Sequence, residues 1–159
     1  MDWRSGGERI QAGYGKEPSV AALHHNNKGL KYLGTDKLGK AETHFLKARD
    51  NDPGFAAAHN NVGSMLLGRR DLYAAAWEFQ RAVELAPTSI EPLVNLGLVF
   101  EEADRFEEAS EQYRQALQIE PKNAIALGNL ARVQIKQDGE TWGDDTFMCS
   151  LDFLNLDLR

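Results

Sequence analysis

A single cysteine, Cys149, stands in 159 residues, so no internal disulfide can brace the fold and a reducing, cytoplasmic location is the expectation. No stretch approaches the roughly 20 apolar residues of a membrane span, and the N-terminus lacks the apolar core of a signal peptide. A basic excess is missing too. Lys and Arg number 18 against 24 Asp and Glu, a net charge of -6, which argues against a nucleic-acid partner. Residues 138 to 159 hold six acids and Arg159, a balance of -5, which leaves -1 for the rest.

Catalytic constellations are equally scarce. The chain has no phosphate-cradling glycine loop, no paired catalytic carboxylates and no Ser/His/Asp order, and Cys149 has no histidine near it in sequence. The histidines do not form a ligand set either. His24 and His25 are adjacent and point to different faces of a helix, and no cysteine or carboxylate group stands at ligand spacing beside them. The expectation is therefore no enzyme, no catalytic residue, no metal and no cofactor.

What the sequence does contain is a period. Pro53, Pro87 and Pro121 are 34 residues apart, and other columns keep the same interval. Counted from Ala22, the repeats cover 22–55, 56–89 and 90–123. Glycine stands eighth (Gly29, Gly63, Gly97), alanine twentieth (Ala41, Ala75, Ala109), an aromatic twenty-fourth (Phe45, Phe79, Tyr113) and alanine twenty-seventh (Ala48, Ala82, Ala116). Apolar residues at helical spacing, such as Val62, Met65 and Leu66, then Leu72, Ala76, Phe79 and Val83, predict two amphipathic helices per repeat. A unit of this kind cannot bury its apolar face alone, so copies must stack. The small columns at Gly63 and Ala75 fit the closest approach of paired helices, with Phe79 filling the space beyond.

Over residues 22–123 the chain resembles the tetratricopeptide repeat, whose Leu-Gly, Ala, aromatic, Ala and Pro columns it follows. The resemblance implies an all-α, right-handed superhelical solenoid of antiparallel helix pairs that binds proteins and does not catalyse. Residues 1–18 read as a flexible leader, 19–137 as three repeats plus the first helix of a fourth, and 138–159 as an acidic, apolar segment. A degenerate fourth repeat over 124–157 would place Gly143, Phe147 and Ser150 in the family columns. There the spacing of Phe147, Leu151, Leu154 and Leu158 suits a helix, and the alternation of Leu154, Leu156 and Leu158 suits an extended segment.

Local signals add detail. Asp36, Asp71 and Asp104 are candidate N-caps for the second helices, and Gly34, Gly39 and Gly68 mark helix ends where a left-handed residue costs little. Each of the spaced prolines stops one helix and orients the next. Pro92 follows Thr88 and Ser89 and would fall in a first helical turn, where proline is tolerated.

Asparagine recurs at the sixth position of all repeats: Asn27, Asn61, Asn95 and Asn129. The second, fifth, sixth, ninth and twelfth positions share a strip that lines the concave surface in tetratricopeptide folds, so the four amides would form a ladder. An amide offers a donor and an acceptor together and can pair with a peptide main chain. This is similar to the asparagine ladder of the O-linked N-acetylglucosamine transferase family. The alternative is an ordinary polar residue on a helix face. The rest of the candidate peptide-binding strip is Asn26, Asn60, Leu30, Ser64, Leu98 and Arg132, with Val94 and Leu33 beside them and Glu91, Glu101 and Glu102 in the third repeat. Glu91 and Asn95 occupy sites that are basic in relatives that clamp a terminal carboxylate, so such a peptide would meet a negative charge. Replacing Asn61 and Asn95 by Ala is expected to spare the fold and weaken binding.

The expected function is thus a protein–protein interaction module taking an extended peptide or partner segment in its concave groove. Two alternatives stand beside it. The C-terminal segment can serve self-association into a scaffold, as a homo-oligomer, or the array can be a small chaperone for an apolar client, like three-repeat secretion chaperones.

Overall fold

The computed structural model describes residues 17–141, and these hold seven α-helices. They are α1 Val20–Leu33, α2 Leu38–Asn51, α3 Ala56–Gly68, α4 Leu72–Leu85, α5 Ile90–Glu102, α6 Phe106–Ile119 and α7 Ala124–Thr141. Consecutive helices pack as hairpins, α1 on α2, α3 on α4 and α5 on α6, and α7 lies on α6. Between hairpins the contacts are asymmetric. First helices touch one another (α1 with α3, α3 with α5, α5 with α7), whereas α2 and α4 do not meet, nor do α4 and α6. Crowding the first helices together puts them on the inside of the curve, so the all-helical array is a solenoid whose concave wall is α1, α3, α5 and α7.

The repeat columns explain why each hairpin closes. Ala41, Phe45, Ala48, Ala75, Phe79, Ala82, Ala109, Tyr113 and Ala116 are all fully buried. A Cβ placed on Gly63 would come 2.8 Å from the Phe79 ring, inside van der Waals contact, and Gly29 and Gly97 stand in the same relation to Phe45 and Tyr113. The aromatic ring therefore lies directly on the glycine of the facing helix. The apolar core runs as a stripe of separate clusters. That of the third hairpin is the largest, joining Leu93, Phe106, Tyr113, Ala126 and Val133, while the first has only Ala41, Phe45 and Val62 at its centre.

Helix ends follow the prolines. Pro53, Pro87 and Pro121 each lie two residues past the last helical residue of α2, α4 and α6. Pro92 is the third residue of α5. Ser89 is the N-cap there, and because proline has no N–H at the position a cap would bond, its hydroxyl donates instead to Glu91 at 2.6 Å.

The turns within hairpins correct two expectations. Asp71 caps α4, accepting from the Ala74 N–H at 3.3 Å, but Asp36 and Asp104 are not caps; Lys37 and Arg105 precede α2 and α6 without a side-chain bond. Asp36, Arg70 and Asp104 share one repeat column and adopt the left-handed conformation, with φ of 55°, 61° and 57°. Each is followed by an N–H that reaches back five residues, as from Lys37 to Tyr32 O at 3.0 Å and from Arg105 to Phe100 O at 2.9 Å. That closure satisfies carbonyls at the helix end and forces positive φ on the residue before it. Gly34, by contrast, is right-handed at φ -65°; Gly34 at the C-cap of α1, Gly39 second in α2 and Gly68 last in α3 do mark helix ends.

Helix α7 continues through Gly139 to Thr141. Residues 1–16 of the expected leader and the expectations for 142–159, including Cys149, the second helix of a fourth repeat and most of the self-association segment, lie outside the described residues.

Candidate binding groove

The concave strip splits into hollows rather than one continuous trough. A groove of about 550 Å³ is lined by Asn26 and Leu30 of α1, by Phe55 and Ala57 at the start of α3, by Asn60 and Asn61, and by Leu85, Ala86, Ser89, Glu91 and Pro92. Glu91 is its one charged lining residue among the described residues. A second hollow of about 410 Å³ is bounded by Leu67, Arg70, Leu98, Glu101, Glu102, Arg132 and Lys136. Ser64 belongs to neither. It lines a small hollow with Leu38 and Glu42, and its hydroxyl donates to Asn60 O at 2.9 Å.

The asparagines are wired between repeats. Asn61 Nδ2 donates to Asn26 Oδ1 at 2.8 Å, and Asn95 Nδ2 donates to Asn60 Oδ1 at 2.9 Å. The sixth position of one repeat thus bridges to the fifth of the repeat before it. The series stops there, because the fifth position of the third repeat is Val94, which offers Asn129 no polar side-chain partner. Asn26 and Asn129 are buried, Asn60, Asn61 and Asn95 half-buried, and Asn27 exposed. These bridges alter the expectation for Asn61 and Asn95: truncating them leaves Asn26, 5% exposed, and Asn60 without their bonds, so the fold is not spared.

Lining the second hollow is an ion network that joins Arg132 of the expected peptide-binding strip to Glu101 of the same strip and to the aromatic column. Glu101 accepts from Arg132 Nε and Nη2, both at 2.8 Å, from Lys136 Nζ at 2.9 Å and from Tyr113 Oη at 3.3 Å. The bidentate Arg132 fork holds its carboxyl down at about 2, against the opposing effect of burial and with help from Lys136. Burial, then the Glu101 charge, pushes the Tyr113 phenol well above its ordinary value. Tyr113 is the aromatic-column residue, so its hydroxyl ties the repeat core to the concave wall.

A second hidden network involves His59. Its Nδ1 lies 2.6 Å from Glu78 Oε2 and its Nε2 3.0 Å from Pro53 O, while Arg49 donates to the other Glu78 oxygen at 2.7 Å. Burial alone would raise the Glu78 carboxyl, but hydrogen bonds from His59 and Arg49 outweigh it and hold it below the usual range. At the equivalent positions of the first hairpin, His25 Nδ1 and His44 Nδ1 stand 3.0 Å apart. The signal for both pairs was present in the columns: positions four and twenty-three read His and His, then His and Glu.

Among the described residues no group of three or more His, Cys, Asp or Glu side chains could hold a metal ion, and no helix is long and apolar enough to cross a membrane.

Known proteins bear on this arrangement in two ways. A tetratricopeptide repeat family model matches residues 26–90 and a TPR repeat model matches residues 102–138. The chain belongs to the tetratricopeptide repeat family. Solved tetratricopeptide domains also share its fold. The Arabidopsis OM64 TPR domain is 21% identical, with a TM-score of 0.69 over 73% of this chain and 96% of that one. The first TPR of Spaghetti (RPAP3), bound to the HSP90 peptide SRMEEVD, is 24% identical at a TM-score of 0.71, covering 74% and 94%. The second TPR domain of human RPAP3, in complex with the HSP70 peptide SGPTIEEVD, is 18% identical at 0.67, covering 72% and 95%. No curated protein matches the chain in sequence.

Proposed function

We propose that this chain is a non-catalytic protein-interaction module that binds an extended peptide in the groove between α1, α3 and the start of α5. The observation that carries the reading is the convergence of three amide side chains, Asn26, Asn60 and Asn61, on a groove of about 550 Å³ whose other walls are mostly apolar. Amides pair with main chain and tolerate many side chains, and Leu30, Leu85 and Pro92 supply apolar contact. The related folds that hold HSP90 and HSP70 peptides support peptide binding in general. Their peptides end in an acidic EEVD stretch, however, and here Glu91 would repel such a terminus. The preferred ligand is therefore a neutral or basic segment, recognised through its backbone.

A peptide-array screen followed by calorimetric titration of the best binder tests this. Replacing Asn61 and Asn95 together by Ala should weaken that peptide by more than about tenfold, because it removes the Asn61 amide from the groove and leaves Asn26 and Asn60 without the bonds that orient them. The titration must be run well below the melting temperature, since the inter-repeat bridges are lost as well. Leu30→Arg, which fills the same groove, should abolish binding. If the asparagine pair leaves affinity unchanged while Leu30→Arg removes it, the groove stands and the ladder falls. If neither variant affects binding, the groove is not the site.

A further inference from the structure

We propose that the His25–His44 pair is a proton-operated latch that holds α1 against α2 and thereby controls the N-terminal wall of the groove. The inference concerns regulation of the site proposed above and rests on that reading for its functional meaning, but the latch itself can be tested without any ligand.

Helix α1 is held on α2 mainly by the Phe45 ring lying on Gly29. Ala22, Asn26 and Gly29 are its buried residues, while Val20, Leu23, Leu30 and Leu33 are 85%, 44%, 46% and 39% exposed. Beside that joint, the polar bond between the hairpin partners is a contact that added protons can remove. The bond joins two imidazoles of the same kind, Nδ1 to Nδ1 at 3.0 Å, with Tyr32 stacked on His44 at 5.3 Å between ring centroids.

Proton counting defines the switch. In the neutral pair one Nδ1 carries the proton and the other accepts it. A first added proton can go to the outer nitrogen of the donor ring, and the bond survives with a charge. A second must go to the accepting Nδ1. Both nitrogens then carry protons, the bond is lost and two positive rings face each other.

The surroundings oppose charge on the pair. His24 and Lys28 act on it from α1 and Lys47 from α2, all of the same sign as the incoming proton, and Lys40 sits over the Tyr32 ring. The other helix packed on this hairpin, α3, has His59 as its one titratable side chain, and that ring is turned to Glu78. Partial burial, then these positive neighbours, place both rings below the ordinary histidine value. The sign follows. A folded-state value depressed below the unfolded one, about 6.5, gives stability that is fully present above it and is lost as pH falls through the folded value. The consequence reaches the groove because Asn26 follows His25 directly and accepts the Asn61 bridge.

The experiment is NMR on the full chain, following the histidine ring nitrogens, the Asn61 side-chain amide and hydrogen-exchange protection helix by helix. As pH falls from about 7 until both rings have titrated, protection in α1 and α2 should fall about tenfold or more while that of α5 and α6 changes less than about twofold. The ring signals should titrate in two steps below about 6.5, with protection falling from about 6.5 and levelling once the second step is complete, where the Asn61 amide shifts. His44→Glu installs the pairing of the second hairpin and should remove the acid loss. The proposal is overturned if α1 and α2 keep their protection, if the Asn61 amide does not shift at the second ring step, or if His44→Glu loses protection over the same range. Should His44→Glu fail to fold its first hairpin, the Asn61 shift at the second ring step of the parent chain decides alone.

Discussion

The first and third hairpins share a backbone and differ in what holds them. In both, a glycine of the first helix receives an aromatic ring of the second, with fully buried alanines beside it. Around that common joint the third hairpin adds Leu93, Val94 and Phe106, packed with Val133 of α7, and a carboxylate, Glu101, gripped by Arg132 and Lys136 from α7. The first hairpin has instead a small cluster around Phe45 and two histidines bonded to each other. The repeat columns thus set geometry, and the positions between them set how firmly each unit is held. In a solenoid, where each unit contacts only its neighbours, that difference becomes a gradient of stability along the chain.

The largest effect should come from breaking the shared joint. Gly97→Leu drives a side chain into Tyr113 inside the best-packed cluster and should cost about 3 kcal/mol of global stability in denaturant melts. Gly29→Leu makes the same clash with Phe45 at the weakly held end. Its damage should appear as lost exchange protection in α1 and α2, with the main transition nearly unmoved. If the two variants lower the main transition equally, the hairpins form one cooperative unit and the gradient does not exist.

That joint was the most legible part of the molecule. Three copies of Gly, Ala, aromatic and Ala at one interval constrain the hairpins because any side chain on the glycine would meet the facing ring. The capping aspartates misled because two of three do not share a column with the third: Asp36 and Asp104 align with Arg70, and Asp71 is one residue further on. Charge alone made them look like caps, while column membership marks them as the left-handed turn. The site was less legible. Position six showed a repeated asparagine, but the bonds run from six to five across repeats, and pairing across repeats is not visible in a single helix face. The Glu101 network escaped for a similar reason, since its partners lie 12 to 35 residues away and include a core tyrosine.

A smaller effect sharpens the comparison through pH. Glu101 is held at about 2, below the unfolded carboxylate, so its contribution is complete above that unfolded value and fades only as pH falls from about 4.3 toward 2. The third hairpin should therefore keep its protection through the range in which the first loses it. Glu101→Gln removes the charge that Arg132, Lys136 and Tyr113 address. It should lower stability at neutral pH by about 2 kcal/mol and flatten the loss between about pH 4.3 and about pH 2. A pH series of urea melts on the two proteins measures both. An unchanged acid profile would mean that Glu101 is not the group that limits this end.

The smallest expected effect uses the one turn in which the two hairpins agree. Asp36 and Asp104 both hold the left-handed conformation, at φ 55° and 57°. For an L-residue this conformation is strained, less so for aspartate than for most, whereas glycine adopts it freely and loses more chain entropy on folding. The two terms oppose each other, and the net gain from Asp→Gly should be about 0.5 kcal/mol. Where it registers is the informative part. Asp104→Gly strengthens the joint between α5 and α6 and should raise the midpoint of the main transition. Asp36→Gly relieves the same strain between α1 and α2, yet its gain should show only as slower exchange in those helices, because they open before the rest. A main-transition shift of equal size for both variants would place the first hairpin inside the same cooperative unit as the third, and the weak hold on α1 would then have to be attributed to fraying of α1 alone.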